Sequence, residues 1–134
     1  MSEVGGQGVR VQRGRLRYPS VPAKQEIIVA KKEITKKISH SGDDRLRLRI
    51  ETEKGKVVNM VVQYEAKFDA EWHAVVRYDC SHGFLHRDVI FPGGKKEKHP
   101  LDIPDLKTAL IYAEQDIRDR WRWYRDRFKR RLRK

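Results

Sequence analysis

The stretch from Arg77 to Asp88 holds the densest set of side chains capable of chemistry. It reads Arg-Tyr-Asp-Cys-Ser-His-Gly-Phe-Leu-His-Arg-Asp, which places two His, two Asp, two Arg and one Cys within twelve residues. The pattern around it predicts two strands joined by a short turn, and facing residues of an antiparallel pair stand about 5 Å apart. We therefore expect Arg77 and Asp79 on one strand to face His86 and Asp88 on the next.

An imidazole held by a carboxylate beside a guanidinium suits acid–base chemistry on a phosphodiester. A metal-independent ribonuclease could use His86, Asp79, Arg77 and Arg87 as its catalytic set. Two other interpretations stay open. The same residues can form a binding surface without catalysis, or ordinary cross-strand ion pairs on a solvent-facing sheet.

The sequence gives little support to a metal or a cofactor. His82 and His86 are four residues apart, which places two ligands on one face only in a helix, and Gly83 favours a turn. Cys80, His82 and Asp79 could hold a soft metal, but no second cluster completes a shell. A single Cys also excludes a multi-cysteine zinc ribbon and an iron–sulfur site. We expect no metal and no cofactor.

A second candidate site is the strongly basic C-terminal segment. Trp123 lies off the apolar stripe of the predicted helix, between arginines, where it could stack on bases while the cations contact phosphates. It could equally bind a protein partner, because Trp and Arg dominate interface hot spots. We do not expect membrane binding, since folding needs the apolar stripe. The candidate nucleic-acid-binding residues are Arg118, Arg122, Trp123, Arg125, Arg127, Lys129, Arg130, Arg131 and Arg133, together with Arg13, Arg15 and Arg17 near the N-terminus.

The net charge of +12 is unevenly distributed. Residues 1–25 carry a net +4, residues 118–134 carry a net +8, and residues 26–117 are neutral. Charge concentrated at the ends adds nothing to folding but binds polyanions, because each neutralised phosphate releases counterions. We expect a nucleic-acid partner, and RNA rather than DNA because no helix-turn-helix pattern is present. A merely solubilising surface is the alternative.

Alternating apolar residues predict four antiparallel strands in a meander. A period of 3.6 residues then predicts a long helix over residues 105–130, with Asp102 ahead of its start as a candidate cap and Pro104 in its first turn. The predicted strands are Arg45–Glu53, Val57–Ala66, Trp72–Asp79 and Phe84–Phe91, and the predicted apolar stripe of the helix is Leu106, Leu110, Ala113, Ile117, Trp121, Tyr124 and Phe128.

The N-terminal part is less regular. Glycines and prolines among basic residues predict a flexible basic arm over residues 1–23. Ile27, Ala30, Ile34 and Ile38 favour a short helix over residues 24–38, although a strand there would add a fifth strand to the sheet. The prediction is one α+β domain over residues 24–134, a four- or five-stranded antiparallel meander packed against a long C-terminal helix with a basic end.

Residues Val75–Lys98, with the long terminal helix, resemble an uncharacterised family of small prokaryotic proteins. The shared pattern is Arg-Tyr-Asp, His-Gly-Phe, His-Arg-Asp, Pro-x-Gly and Glu-Lys, and the resemblance covers residues 45–130. The chain is also similar to TumE-type toxins of prokaryotic toxin–antitoxin systems, which carry Arg-Tyr-Asp on a strand and His residues soon after. Arg77, Tyr78 and Asp79, followed by His82 and His86, match that shape. This similarity implies a toxin-like ribonuclease.

The location of the protein follows from two observations. No apolar run approaches the roughly 20 residues that cross a bilayer. The N-terminus lacks the apolar segment of a signal peptide. We therefore expect a cytoplasmic protein.

Overall fold

The computed structural model describes residues 29–80 and 84–132, which form six strands and one helix. The flexible arm predicted for residues 1–23 lies outside them. All six strands form one antiparallel sheet in the order of the chain, so the predicted meander is confirmed with six strands instead of four or five. The strands are β1 (Val29–Lys37), β2 (Asp44–Glu53), β3 (Lys56–Phe68), β4 (Glu71–Asp79), β5 (His86–Ile90) and β6 (Lys96–Pro100), and the helix is α1 (Leu106–Leu132).

The helix predicted over residues 24–38 is wrong for its described part, because β1 is a strand paired with β2. The apolar spacing explains the error. Ala30, Ile34 and Ile38 are four residues apart, and that spacing fits one face of a helix and one face of a strand equally well. Pairing along β2 settles the choice, with Ile34 opposite Leu48 in the register.

Strand β6 was not predicted, since its sequence Lys-Glu-Lys-His-Pro has no apolar alternation. It exists because its backbone pairs with β5, from Lys96 opposite Ile90 to Pro100 opposite His86. The turn between the two strands uses Gly93 and Gly94 at φ values of 89° and 91°. Residues other than glycine rarely adopt this left-handed conformation.

Helix α1 packs on one face of the sheet and creates the core. Most of the predicted stripe is confirmed, because Ala113, Ile117, Tyr124 and Phe128 are buried. Ala109 is also buried, whereas Trp121 is only partly covered. The sheet contributes Leu46, Leu48, Val62, Tyr64, Val76 and Tyr78 to the same core. No helix in the described residues has the length and apolar character required to cross a membrane.

The cap of α1 is Asp105 rather than Asp102. Its Oδ2 accepts hydrogen bonds from the backbone N–H of Thr108 at 3.0 Å and from the Thr108 hydroxyl at 2.7 Å. These bonds, led by the one from the hydroxyl, lower the pKa of the Asp105 carboxyl. Asp105 therefore satisfies a backbone donor that the helix itself leaves unpaired.

Replacing Asp105 with alanine is expected to lower the thermal unfolding midpoint by about 4 °C, because a helix cap is lost. Circular dichroism during heating measures this change. Asp102→Ala is the matched control, since Asp102 is exposed and lies outside the helix. Equal midpoints for the two variants would show that Asp105 does not cap α1.

Candidate functional site

The face of the sheet opposite α1 is called the open face here. Among the described residues, no helix or strand packs over it. Side chains alternate between the two faces along each strand, so the register determines which residues point to this side. The open face carries basic residues from several strands, among them Lys31 and Lys37 of β1, Arg45, Arg47 and Arg49 of β2, Arg77 of β4, and Lys96 and Lys98 of β6.

A shallow cavity of about 130 Å³ lies on the open face. Arg47, Arg49 and Arg77 contribute to its wall, with Gln63 and Val61 between them. Arg47 and Arg49 are two residues apart on β2, which places them about 7 Å from one another along the strand. Gln63 stands opposite both Arg47 and Arg77 in the register. The cavity therefore brings three guanidinium groups from two strands to one place.

Two of these arginines keep much of their hydrogen-bonding capacity. The nearest carboxylate oxygen to Arg49 belongs to Glu33 at 3.5 Å, and the one nearest to Arg47 belongs to Glu65 at 3.7 Å. The Arg47 side chain is 50% exposed and the Arg49 side chain is 54% exposed. Exposed ion pairs at such distances contribute little to stability. Both guanidinium groups can therefore turn toward a phosphate, which they bind in a bidentate manner.

The predicted pairing across the hairpin is confirmed. Asp79 stands opposite His86 and Arg77 opposite Asp88, and all four lie on the open face. His86 Nε2 is 2.9 Å from Asp79 Oδ1 and 3.8 Å from Asp88 Oδ2. The Arg77 Nε–H donates to Asp79 Oδ2 at 2.9 Å. We call Asp79, His86 and Asp88 the carboxylate–histidine cluster.

Unlike a solvent-facing set of ion pairs, the carboxylate–histidine cluster is buried. The His86 side chain is 2% exposed and that of Asp88 is 3% exposed. The Phe84 ring lies 5.6 Å from the His86 ring, centre to centre. A substrate atom therefore cannot reach the imidazole of His86 in this arrangement.

Arg87 does not join the cluster. It follows His86 directly on β5, so its side chain points to the face covered by α1. There its Nη1 lies 3.5 Å from the Tyr124 hydroxyl and 3.9 Å from Asp116 Oδ2. The predicted catalytic set is thus divided, with His86, Asp79 and Arg77 on one side of the sheet and Arg87 on the other. His82 lies outside the described residues.

Arg87 belongs instead to a polar cluster under the helix that was not predicted. The Tyr78 and Tyr124 hydroxyls both donate to Asp116 Oδ2 at 2.6 Å, and Arg120 Nε lies 3.1 Å from Asp116 Oδ1. Burial, followed by the Asp116 hydrogen bond, raises the pKa of both tyrosines. A signal was available in the sequence. A buried tyrosine hydroxyl needs a hydrogen-bond partner, and Asp116 lies eight residues before Tyr124, on the same side of the predicted helix.

Several basic residues of α1 that were predicted to bind nucleic acid hold the helix on the sheet. Arg125 Nη1 lies 3.0 Å from Asp44 Oδ1. Arg127 Nη2 lies 3.2 Å from Glu97 Oε2, and the Arg131 guanidinium lies 4.1 Å from the centre of the Phe91 ring. Part of the basic C-terminal charge is therefore used within the protein.

The remaining predicted residues of α1 lie on its outer side. Arg118 Nη2 pairs with Glu114 at 3.0 Å, and Arg122 lies over the Trp121 ring at 4.5 Å. Trp123 is 48% exposed, but the guanidinium groups of Arg120 and Arg127 lie 5.1 Å and 5.3 Å from the centre of its ring. Lys129 and Arg130 are exposed. Arg133, Arg13, Arg15 and Arg17 lie outside the described residues.

The chain was compared with known families, curated proteins and solved structures. Residues 29–134 match a family described as Domain of unknown function (DUF7718). No curated protein and no solved structure matches the chain.

Proposed function

We infer that this chain, which belongs to the DUF7718 family, binds RNA through the open face of its sheet. The observation that carries this proposal is the group of three arginines around the cavity, where Arg47 and Arg49 are half exposed and weakly paired. Phosphates are the ligands that such a group of guanidinium donors fits best. The surrounding lysines and the net charge of +12 add long-range attraction to a polyanion.

The shape of the open face favours RNA over duplex DNA. Six strands at about 4.8 Å spacing make a surface roughly 24 Å wide. The major groove of DNA is about 12 Å wide and admits a helix or a two-stranded ribbon, so a broad sheet does not enter it. The wide, shallow minor groove of an RNA helix and the flexible backbone of a single strand can both lie on such a surface.

Cleavage of RNA, which the similarity to TumE-type toxins implies, is not part of this proposal. A general acid or base must come within hydrogen-bonding distance of the substrate. The His86 side chain is 2% exposed, and its Nε2 is already 2.9 Å from Asp79. Binding needs no access to His86, because the arginines of the cavity are exposed.

The proposal is tested with fluorescently labelled RNA, measuring the anisotropy at several salt concentrations. The double variant Arg47→Gln/Arg49→Gln is expected to bind about tenfold more weakly, because it loses two charged contacts with phosphates. Its affinity should also depend less on salt, with the slope of log K against log[salt] reduced by about 0.7 to 1 for each lost contact. Arg118→Gln/Arg122→Gln is the matched control, since it removes the same charge from the outer side of α1. This control is expected to retain most of the affinity.

Three results would contradict the proposal. The first is an affinity for RNA that does not change with salt. The second is an equal loss of affinity in the two double variants, which would assign the effect to total charge. The third is equal or tighter binding of duplex DNA of the same length. Integrity of the RNA after incubation, checked on a denaturing gel, reports any cleavage in the same samples.

A further inference from the structure

The carboxylate–histidine cluster has the ligand set of a metal site. We propose that Asp79, His86 and Asp88 bind one divalent transition-metal cation at the edge of the open face. This inference is independent of the proposed RNA binding, and it differs from the sequence expectation of no metal. The candidate Cys80 does not take part, because its Sγ donates to Asn59 Oδ1 at 2.9 Å.

The distances within the cluster fit metal coordination. One ligand atom from each residue lies within 4.8 Å of the other two. The Asp79 Oδ1–His86 Nε2 distance is 2.9 Å and the His86 Nε2–Asp88 Oδ2 distance is 3.8 Å. With bonds of about 2.1 Å to nitrogen and oxygen, these separations correspond to ligand–metal–ligand angles of roughly 90° and 130°. Angles of about 90° and 120° occur together in five-coordinate, trigonal-bipyramidal sites. The exposed lysines around the cluster leave room for the further ligands that such a site needs.

A second observation points to a missing cation. Asp88 is buried, and its Oδ1 has no hydrogen-bond partner within the part of the chain that the structure describes. A buried carboxylate oxygen without a hydrogen bond is costly, and native proteins rarely leave one in that state. The nearest cations are Lys96 Nζ at 3.7 Å from Oδ2 and Lys98 Nζ at 3.9 Å from Oδ1, both beyond hydrogen-bonding distance.

The two lysines compete with a metal but do not block it. The Lys96 and Lys98 side chains are 52% and 44% exposed, so each can turn into solvent when a cation enters. Lys98 Nζ also lies 3.4 Å from His86 Nε2, the nitrogen that would bind the metal. Removing the Lys98 charge should therefore strengthen metal binding, which is an effect that an ordinary ion-pair network does not predict.

The donor set defines the class of metal. One imidazole nitrogen and two carboxylate oxygens suit Zn²⁺, Co²⁺ or Mn²⁺ better than the soft Cu⁺ or the hard Ca²⁺. Three protein ligands leave at least one coordination position that a water molecule can fill. Arg77 bonds to the same Asp79 that would bind the metal, so this position lies beside the arginines of the cavity.

The test is a titration of the full chain, freed of metal by a chelator, with Zn²⁺ in a calorimeter and with Co²⁺ in a spectrophotometer. One equivalent is expected to bind, with a Co²⁺ visible spectrum of a low-symmetry site. Asp88→Asn should weaken binding at least tenfold, since changes even in residues around a metal cost 10- to 100-fold. Lys98→Met should tighten it severalfold. His99→Gln is the control for adventitious binding, because His99 is a partly exposed histidine on β6 that lies outside the cluster.

Several outcomes would overturn the proposal. One is a wild-type protein that gives neither heat with Zn²⁺ nor a visible spectrum with Co²⁺. Another is a His86→Gln variant that binds Zn²⁺ as tightly as the wild type does. A third is a His99→Gln variant that no longer binds Zn²⁺. If Asp88→Asn does not fold, the effect of Zn²⁺ on the thermal unfolding midpoint of the wild-type protein tests whether the metal binds. Saturating Zn²⁺ must raise that midpoint, because a ligand that binds only the folded state stabilises it. None of these measurements contains RNA, so a failure here leaves the RNA test unaffected.

Discussion

Replacing Asp116 with alanine is expected to destabilise the protein by about 3 to 5 kcal/mol. The two tyrosine hydroxyls that donate to Asp116 Oδ2, those of Tyr78 and Tyr124, are almost completely buried with their rings. The change would leave both hydroxyls without their common acceptor, and it would remove the carboxylate that lies 3.9 Å from Arg87 Nη1. Unsatisfied buried donors carry the full cost of their desolvation, which is why the expected loss exceeds that of a single hydrogen bond.

Unfolding in urea, followed by circular dichroism, measures this loss. Asp116→Asn is expected to cost less, because the amide oxygen still accepts hydrogen bonds. Asp119→Ala is the control on the same helix, where the exposed carboxylate accepts only from Gln115, at 2.9 Å. If Asp116→Ala and Asp119→Ala have similar midpoints, the cluster under the helix does not stabilise the fold.

A steep loss of stability above pH 10 is the second large effect that we expect. Burial raises the pKa of Tyr64, Tyr78 and Tyr124 in the folded state, and hydrogen bonds to Asp44 and Asp116 raise it further. Above pH 10 the unfolded chain loses these phenolic protons while the folded chain keeps them. Increasing pH therefore favours the unfolded chain. Each tyrosine that stays protonated only in the folded state lowers the free energy of unfolding by about 1.4 kcal/mol per pH unit, so the three together lower it by about 4 kcal/mol.

The stabilising contribution of the three tyrosines is thus fully present below pH 10 and is lost as the pH rises further. Absorbance at 295 nm reports tyrosinate, and circular dichroism reports the fold. We expect much of the absorbance change to coincide with cooperative unfolding. Tyr112→Phe, which removes an exposed tyrosine, should leave that step in place. Ionisation of all tyrosines with an intact circular dichroism spectrum would contradict the expectation.

The strands that alternate clearly could be predicted from the sequence. In β2, Leu46, Leu48 and Ile50 alternate with three arginines, so the face that meets the helix is defined by the residues themselves. The pairing of Asp79 with His86 follows from the short connection between β4 and β5. Helix α1 was predicted to within two residues at each end, because its apolar stripe continues from Leu106 to Phe128, over about six turns.

The rest depends on contacts that no local pattern contains. Strand β6 is polar throughout and is defined by its backbone pairing with β5. His86 and Asp88 alternate correctly with their neighbours, yet whether a residue on a sheet face is buried depends on what lies above it. The same limit applies to Asp116, whose tyrosine partner on the sheet is 38 residues away in the chain.

The two outermost strands of the described sheet share a property that bears on how the protein behaves when concentrated. Strand β1 contains Lys31, Lys32, Lys36 and Lys37, and β6 contains Lys96 and Lys98. A sheet that does not close into a barrel leaves backbone groups at its borders that can recruit strands from other molecules. Positive charge along both borders makes two copies repel each other at the place where they would polymerise. A lysine with no place in either proposed site, such as Lys32 opposite Ile50, would thereby help to keep copies of the protein apart.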